Sequence, residues 1–155
     1  MSFINRPPIG VDLTYADTVL PPSGGILGAH YPANDGMYQL VKAAGTIAAG
    51  GFCTIDELGN ATAATDTTSG ATAKGVGIAP VAVTVNQYFF AWRGLGQYEA
   101  LVTNAVAADT NLTTTGVAGI AGTGGDTIIG LRSIDLGVTA TRVTVYAATI
   151  MATNT

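Results

Sequence analysis

One cysteine and one histidine are the residues of this chain that could serve nucleophilic chemistry. Cys53 and His30 could form a Cys–His nucleophile pair, in which the imidazole activates the thiol. His30, however, lies in a segment rich in proline and glycine, whereas Cys53 lies in an apolar alternation typical of a strand. We therefore expect Cys53 to be a small buried hydrophobic residue. A zinc site needs three or four nitrogen, sulfur or oxygen ligands, which this pair does not supply.

Acidic pairs and glycine-rich stretches are the other patterns that could indicate catalysis or cofactor binding. Asp56-Glu57 is the only adjacent acidic pair, and it lies at a predicted hairpin tip, where acidic residues are ordinary solvated turn residues. Gly94–Gly96 and Gly122–Gly125 are glycine-rich, but neither completes a dinucleotide-binding or phosphate-loop fingerprint. The sequence therefore predicts no catalytic residues, no metal ligands and no cofactor, and we expect a protein that is not an enzyme.

The charge distribution argues against nucleic-acid binding. The formal net charge is −4 and the sequence pI is about 4.5. Binding to phosphates needs clustered lysine and arginine. Here the six basic residues are spread singly, at Arg6, Lys42, Lys74, Arg93, Arg132 and Arg142. We therefore expect no direct nucleic-acid partner.

The chain also lacks the usual marks of export or membrane insertion. Its first residues have no basic region followed by an apolar stretch, and no segment approaches the length of a membrane span. A single cysteine excludes an internal disulfide framework, which fits assembly in a reducing cytoplasm. We expect cytoplasmic synthesis and no membrane partner.

The surface is expected to carry few charges. Charged residues make up 10% of the 155 residues, against the roughly 25% usual for soluble domains. Hydrophobic residues make up 48%, but much of that fraction is alanine. A large surface of threonine, alanine and glycine favours an interface with other protein. We therefore expect an oligomer or a subunit of a larger assembly.

From residue 37 onward the sequence alternates short strand-like runs with turns. No segment combines helical periodicity with caps over three turns, and 21 glycines argue against long helices. The pattern predicts an all-β body over residues 37–155, built as a small β-barrel or β-sandwich. The predicted strands are Tyr38–Lys42, Phe52–Ile55, Ala61–Thr65, Lys74–Ala79, Val81–Val85, Tyr88–Trp92, Tyr98–Val102, Asp126–Arg132 and Arg142–Met151.

Residues 1–36 differ from this body and predict an extended N-terminal arm. Pro7-Pro8, Pro21-Pro22 and Pro32 fix φ and remove main-chain donors, so the segment is not expected to pack as a regular element. It is nevertheless too apolar for a solvated linker. Either the arm wraps its own domain or it reaches a neighbouring molecule. The candidate interface residues are Phe3, Ile4, Val11, Leu13, Tyr15, Leu20, Ile26, Leu27 and Tyr31.

Two local patterns carry more specific predictions. In the aromatic strand Tyr88–Trp92, the first, third and fifth residues share one face, and one of the two faces could lie at an interface. Thr46–Thr54 and Ala105–Thr113 share an order of an apolar residue, a turn pair and a strand start. We interpret this echo as a shared turn-then-strand solution and not as a duplication.

The order of these features over about 70% of the chain resembles the capsid decoration proteins of tailed bacteriophages. An Ala44–Gly51 stretch leads into a strand, and a short hairpin and the Gly70–Ala79 stretch follow. Tyr88–Gly94 then precedes a strand, and the Ala107–Leu112 turn and Ile129-Gly130 complete the order. No catalytic signature carries the resemblance.

The resemblance implies a barrel or β-tulip-like body that binds the outer surface of a phage capsid. It implies a virion protein made in the host cytoplasm, with the major capsid protein as partner. A homotrimer is favoured and a dimer is possible. Such a protein would bridge capsid subunits and stabilise the expanded head. An alternative is a receptor- or glycan-binding β module of a phage fibre or tail. A small hydrolase is the third class, and the lack of a nucleophile–base constellation argues against it.

Overall fold

The computed structural model describes residues 11–21, 25–65, 75–103, 106–123, 127–135 and 142–152, and over these residues the protein is all-β. The predicted fold class is therefore confirmed. The described residues form ten strands: β1 His30–Ala33, β2 Gly36–Ala43, β3 Phe52–Ile55, β4 Asn60–Ala63, β5 Gly75–Ile78, β6 Tyr88–Trp92, β7 Gly96–Leu101, β8 Asn111–Thr113, β9 Thr127–Ser133 and β10 Arg142–Ala152.

Five strands close into a small β-barrel in the order β2, β4, β3, β5, β6. Most neighbours are antiparallel, and β2 pairs with β6 over five residue pairs from Tyr38↔Trp92 to Lys42↔Tyr88. Two short contacts close the ring: the parallel pairing of β2 with β4, and the pair Ile78↔Trp92 between β5 and β6. Closure matters because it pairs both sides of every strand in the ring and leaves fewer exposed edges.

The barrel interior is filled by small and medium apolar side chains. A five-stranded barrel has a narrow interior, so its residues must be compact. Glycine serves the same need at Gly77, where an added Cβ would lie 3.0 Å from the Cβ of Ala91. The buried cluster inside the ring comprises Val41, Ala43, Ile47, Cys53, Ile55, Ala61, Ala79, Val83, Phe89 and Ala91.

Strand β6 divides its side chains between two cores, as its alternation predicted. Phe89 and Ala91 belong to the barrel interior, while Phe90 and Trp92 belong to a second cluster outside the ring. Tyr88 packs against that second cluster and is half-buried. Both faces of β6 are thus covered by this chain itself.

A second sheet, β7-β10-β9-β8, lies against the outside of the barrel. Its longest strand, β10, pairs with β7 on one side and β9 on the other, and it joins the barrel through the single pair Met151↔Gly75. The side chains between barrel and sheet include Trp92, Leu112, Leu131 and Val145, all fully buried. The apolar inner face of this sheet therefore covers one wall of the barrel.

A short unit recurs three times with identical spacing. It consists of one β-bridge residue, a two-residue turn and the first residue of a strand. The three units are Ile47–Phe52, Val83–Tyr88 and Val106–Asn111. In each, the second turn residue has a positive φ, which is 78° at Gly50, 68° at Asn86 and 58° at Asp109. Glycine, asparagine and aspartate are the residues that tolerate this conformation best. The first and third units are the echo seen in the sequence, so its interpretation as a shared turn is confirmed.

The second unit also overturns one predicted element. The predicted strand Val81–Val85 is wrong: only Val83 makes a bridge, with Ile47, and the chain then turns at Asn86. The alternating valines reflect the demands of the barrel interior, where Val83 is buried. The alternating apolar pattern therefore reflects one inward-facing residue, Val83, followed by a turn, and not a strand.

The predicted hairpin between β3 and β4 is confirmed. The Asp56 carboxylate accepts hydrogen bonds from the main-chain N–H of Leu58 at 2.9 Å and of Asn60 at 2.8 Å. Gly59 has φ of 82°, in the left-handed region that glycine adopts readily. The acidic residue at this tip thus organises a turn.

The last residues of the predicted arm form a strand that the sequence did not indicate. β1 pairs antiparallel with β2, from His30↔Gln39 to Ala33↔Gly36. Pro32 lies within β1, and a proline is tolerated there because β1 is paired on one side only among the described strands. The boundary predicted at residue 36 therefore falls at the turn between two paired strands.

Candidate functional site

Residues 11–21 of the predicted arm lie on the body of their own chain. Asp17 exchanges two main-chain hydrogen bonds with Tyr88, at 3.4 and 2.6 Å, and the Gln87 side chain donates to the Ala16 carbonyl at 3.3 Å. Just upstream, the Asp12 carboxylate accepts from the main chain and hydroxyl of Thr14, which lowers the pKa of Asp12. These bonds give the segment a defined path along β6.

Residues 25–29 continue along the barrel beside β2. The Gly28 N–H donates to the Leu40 carbonyl at 2.7 Å, and the Leu40 N–H donates to Ala29 at 3.1 Å. The Gln39 side chain donates to the Gly28 carbonyl at 3.0 Å, and the Tyr31 hydroxyl accepts from the Ile26 N–H at 2.8 Å. Over the described residues, main-chain bonding thus extends the pairing of β1 and β2 toward the N-terminus.

The predicted interface residues divide into two groups on this framework. Four are partly buried against the second cluster, outside the ring: Val11, Leu13, Tyr15 and Tyr31. Tyr31 meets Phe90 edge-to-face at 5.5 Å between ring centroids. Three others point to solvent, with exposed fractions of 45% for Leu20, 69% for Ile26 and 36% for Leu27. Phe3 and Ile4 lie outside the described residues.

Two further exposed apolar residues were omitted from the sequence-based set. Val19 is 64% exposed and Leu58, at the β3–β4 tip, is 72% exposed. Leu27 packs on that tip, because its Cγ lies 3.1 Å from where a Cβ on Gly59 would be. We call Val19, Leu20, Ile26, Leu27 and Leu58 the apolar patch. An apolar leucine in a predicted turn was the available signal for Leu58.

The Cys–His pair considered above is not arranged for catalysis. Cys53 is fully buried in the barrel, where its thiol contacts the Gly77 carbonyl at 3.5 Å, and burial raises its pKa to about 12. A buried thiol with a raised pKa supplies little thiolate at neutral pH. His30 is exposed on β1, and partial desolvation and the nearby Arg93 cation lower its pKa. Over the described ranges, no three acidic, histidine or cysteine side chains converge to hold a metal ion.

Arg93 is the most enclosed of the basic side chains that the structure describes in detail. Its Nη1 donates to the Val76 carbonyl at 2.9 Å, and burial lowers its pKa. Its Nε is buried without a hydrogen-bond partner among the described residues. Gly75 makes room for this guanidinium, since an added Cβ would lie 2.4 Å from Nη1. The Arg93 guanidinium therefore lies against the main chain of β5 at Gly75 and Val76.

A polar cleft lies where the second sheet meets the barrel. Its volume is about 410 Å³, and it is lined by Gly50, Pro80, Gln97, Tyr98, Glu99, Arg142 and Thr144. The sequence did not indicate this cleft, because it depends on the register of β7 with β10 and on the approach of the barrel loops. Its lining offers a guanidinium, a carboxylate, an amide and a hydroxyl within one concavity.

Two further observations bear on what the chain does. In the part of the chain that the structure describes, there is no helix long and apolar enough to cross a membrane. Comparison with known proteins gave no match to a family model, to a curated protein or to a solved structure.

Proposed function

We propose that the chain is a structural virion protein that binds the outer surface of a phage capsid across major capsid protein subunits and stabilises the expanded head. The proposal rests on the order of sequence features that resembles capsid decoration proteins, and on the apolar patch. It includes self-association, with a homotrimer favoured, and a location on the capsid surface.

The apolar patch is the observation that carries the proposal. It comprises exposed aliphatic side chains at residues 19–20, at residues 26–27 and at the β3–β4 tip, and Leu27 contacts that tip. Exposed apolar surface of this kind marks interaction sites, because leaving it in water is unfavourable. Main-chain bonds from Gly28 and Ala29 to β2 fix the backbone next to Leu27, and the Asp56 turn fixes the backbone of Leu58. A preorganised apolar surface loses little conformational entropy when a partner covers it.

The low charge of the chain supports the same proposal. Only 10% of the residues are charged, so the surface presents few groups that must be desolvated when it packs against a protein shell. Binding across two capsid subunits would link them and oppose outward pressure on the shell.

The direct experiment mixes the purified protein with expanded heads assembled without it and sediments the heads. We expect saturable co-sedimentation at micromolar protein and greater resistance of the heads to heating. Replacing the patch with Ile26→Ser, Leu27→Ser and Leu58→Ser together should weaken retention by about a hundredfold or more, because each exposed aliphatic side chain contributes on the order of 1 kcal/mol when covered.

The matched control replaces exposed valines outside the patch. Val85 and Val117 are each 55% exposed, and Val85→Ser with Val117→Ser should leave retention unchanged. Failure of the unmodified protein to co-sediment would overturn the proposed function. Equal retention of the patch variant and the control variant would instead show that another surface makes the contact.

A further inference from the structure

Strand β7 has one free edge, and the polar cleft lies along it. β7 pairs with β10 on one side, and the Leu101 N–H points the other way, toward the Gly50 carbonyl at 2.8 Å. Because main-chain groups of alternate residues point to the same side of a strand, the N–H and C=O groups of Gln97 and Glu99 also face away from β10. Among the described residues, no strand pairs with them there.

The free stretch of this edge is closed at both ends. At one end the Asp35 carbonyl lies against β7, since a Cβ added to Gly96 would be 2.5 Å from it. At the other end Gly50 occupies the partner position of Leu101. Only residues 97–100 of the edge lie between these blocks. The outward-facing main-chain groups of this notch belong to only two residues, Gln97 and Glu99, and its concave shape suits a compact ligand.

The side chains around the notch supply both donors and acceptors. Thr144 lies opposite Glu99 in the β7–β10 register, and Arg142 lies opposite Leu101, so three polar side chains share one face beside the edge. Arg142 is held in place because its Nη2 donates to the Ala49 carbonyl at 2.8 Å. One guanidinium and one carboxylate balance each other, so the site carries no net charge to attract an ion.

The remaining wall is apolar and rigid. The ring of Tyr98 stacks on Trp92 at 5.5 Å between centroids, with an angle of 25° between the planes, and it meets Tyr38 edge-to-face. Pro80 lines the opposite wall. The cleft volume of about 410 Å³ falls in the range of about 300–1,000 Å³ typical of small-ligand sites. Paired main-chain and side-chain polar groups beside an aromatic and a proline suit a ligand with many hydroxyl groups and apolar C–H faces.

We propose that the cleft between β7, β10 and the two loops that contain Gly50 and Pro80 binds a neutral saccharide of one or two sugar units. The hydroxyl groups of the sugar would pair with the free edge of β7 and with Glu99, Arg142 and Thr144. This site is separate from the apolar patch: Gly50 precedes β3 and Leu58 follows it, so the two surfaces lie at opposite ends of that strand. The inference thus goes beyond the proposed function and does not depend on it.

The test uses the purified, isotopically labelled full chain and no capsid. Glucose, galactose, mannose, N-acetylglucosamine and lactose are titrated separately while amide resonances are followed by NMR. We expect at least one of these sugars to shift the amides of Gln97 and Glu99 saturably at millimolar concentration. Thr144→Val and Glu99→Ala should each weaken that binding by about tenfold, as expected for the loss of a hydrogen bond to the ligand.

Thr62→Ala is the matched control, because Thr62 is an exposed threonine on β4 and lines no part of the cleft. It should leave the affinity unchanged, and the amide spectrum of each variant reports whether the variant is folded. If none of the neutral sugars shifts the β7 amides, the proposal is overturned. It is also overturned if glucuronic acid alone binds, or if a short extended peptide binds and the sugars do not.

Discussion

The barrel and the second sheet differ in how they treat the edges of their strands. The barrel closes on itself, and its interior cluster shields Cys53 completely from solvent. The second sheet stays open: among the described strands, β7 and β8 are each paired on one side only, and Tyr146 on β10 remains 50% exposed. Closure pairs both sides of the barrel strands, whereas among the described strands the open sheet leaves main-chain hydrogen-bonding groups of β7 available to a ligand.

The two regions also differ in the size of the side chains that fill them. The barrel interior relies on alanine, valine and close backbone approach, as at Gly77. The layer between barrel and sheet instead buries Trp92, Leu112, Ile128 and Leu131. A narrow ring has room for few large residues, of which Phe89 is one, while a sheet packed on the outside of a ring has to fill the wider space between two curved surfaces.

The largest expected effect tests the closed region. Among the described residues, Phe89 is the only aromatic one in the barrel cluster, and it is fully buried. Phe89→Ala should lower the free energy of unfolding by about 3–5 kcal/mol, because the narrow ring cannot collapse around the cavity. Urea unfolding followed by Trp92 fluorescence measures this change. Tyr146→Ala, on the open sheet, is the control and should cost under about 1 kcal/mol. Equal costs for the two variants would contradict the contrast between a closed and an open region.

An intermediate effect is expected at the junction of the two regions. Gly50 has φ of 78°, and a Cβ added there would lie 2.5 Å from Nη1 of Arg142. Gly50→Ala should therefore destabilise the protein by about 1–3 kcal/mol, through backbone strain and displacement of the guanidinium. Differential scanning calorimetry and urea unfolding both measure it.

The matching position in the second turn unit provides the control. Asn86 has φ of 68° and is exposed, so Asn86→Gly removes the strain of a side chain in this conformation but adds entropy to the unfolded chain. These terms oppose each other, and the net change should be under about 0.5 kcal/mol. If Gly50→Ala proved as neutral as Asn86→Gly, the positive φ of this turn would not constrain its sequence.

The sequence predicted the local elements better than their long-range arrangement. Alternation located β2, β3 and β6, and the short polar run at Asp56-Glu57 was correctly assigned to a hairpin tip, because these features depend on neighbouring residues. The closure of the barrel depends on the pair Ile78↔Trp92 between β5 and β6. The local sequence around either residue does not indicate the other as its partner. β1 was missed because Pro32 argues against a strand unless the partner β2 is already known.

For the candidate sites too, the sequence indicated local features but not the contacts between distant segments. The arm sequence indicated apolar contact surface, but only the structure separates Tyr31, which packs on Phe90, from Ile26, which points to solvent. The cleft could not be predicted, since Gln97, Glu99 and Thr144 look like ordinary exposed strand residues until their register and the Gly50 loop are known. A site made by four distant segments leaves no pattern in any one of them.

The smallest expected effect concerns the ion pair of the open sheet. Arg132 and Asp109 approach to 2.9 Å, but their side chains are 52% and 83% exposed. Water and salt screen such a pair, so a double-mutant cycle of Arg132→Gln and Asp109→Asn should give a coupling energy under about 1 kcal/mol. The coupling should fall further when salt is raised, because the screening length shortens. A salt-insensitive coupling above about 1.5 kcal/mol would contradict this view. It would mean that the ion pair contributes appreciably to holding the turn before β8 against β9.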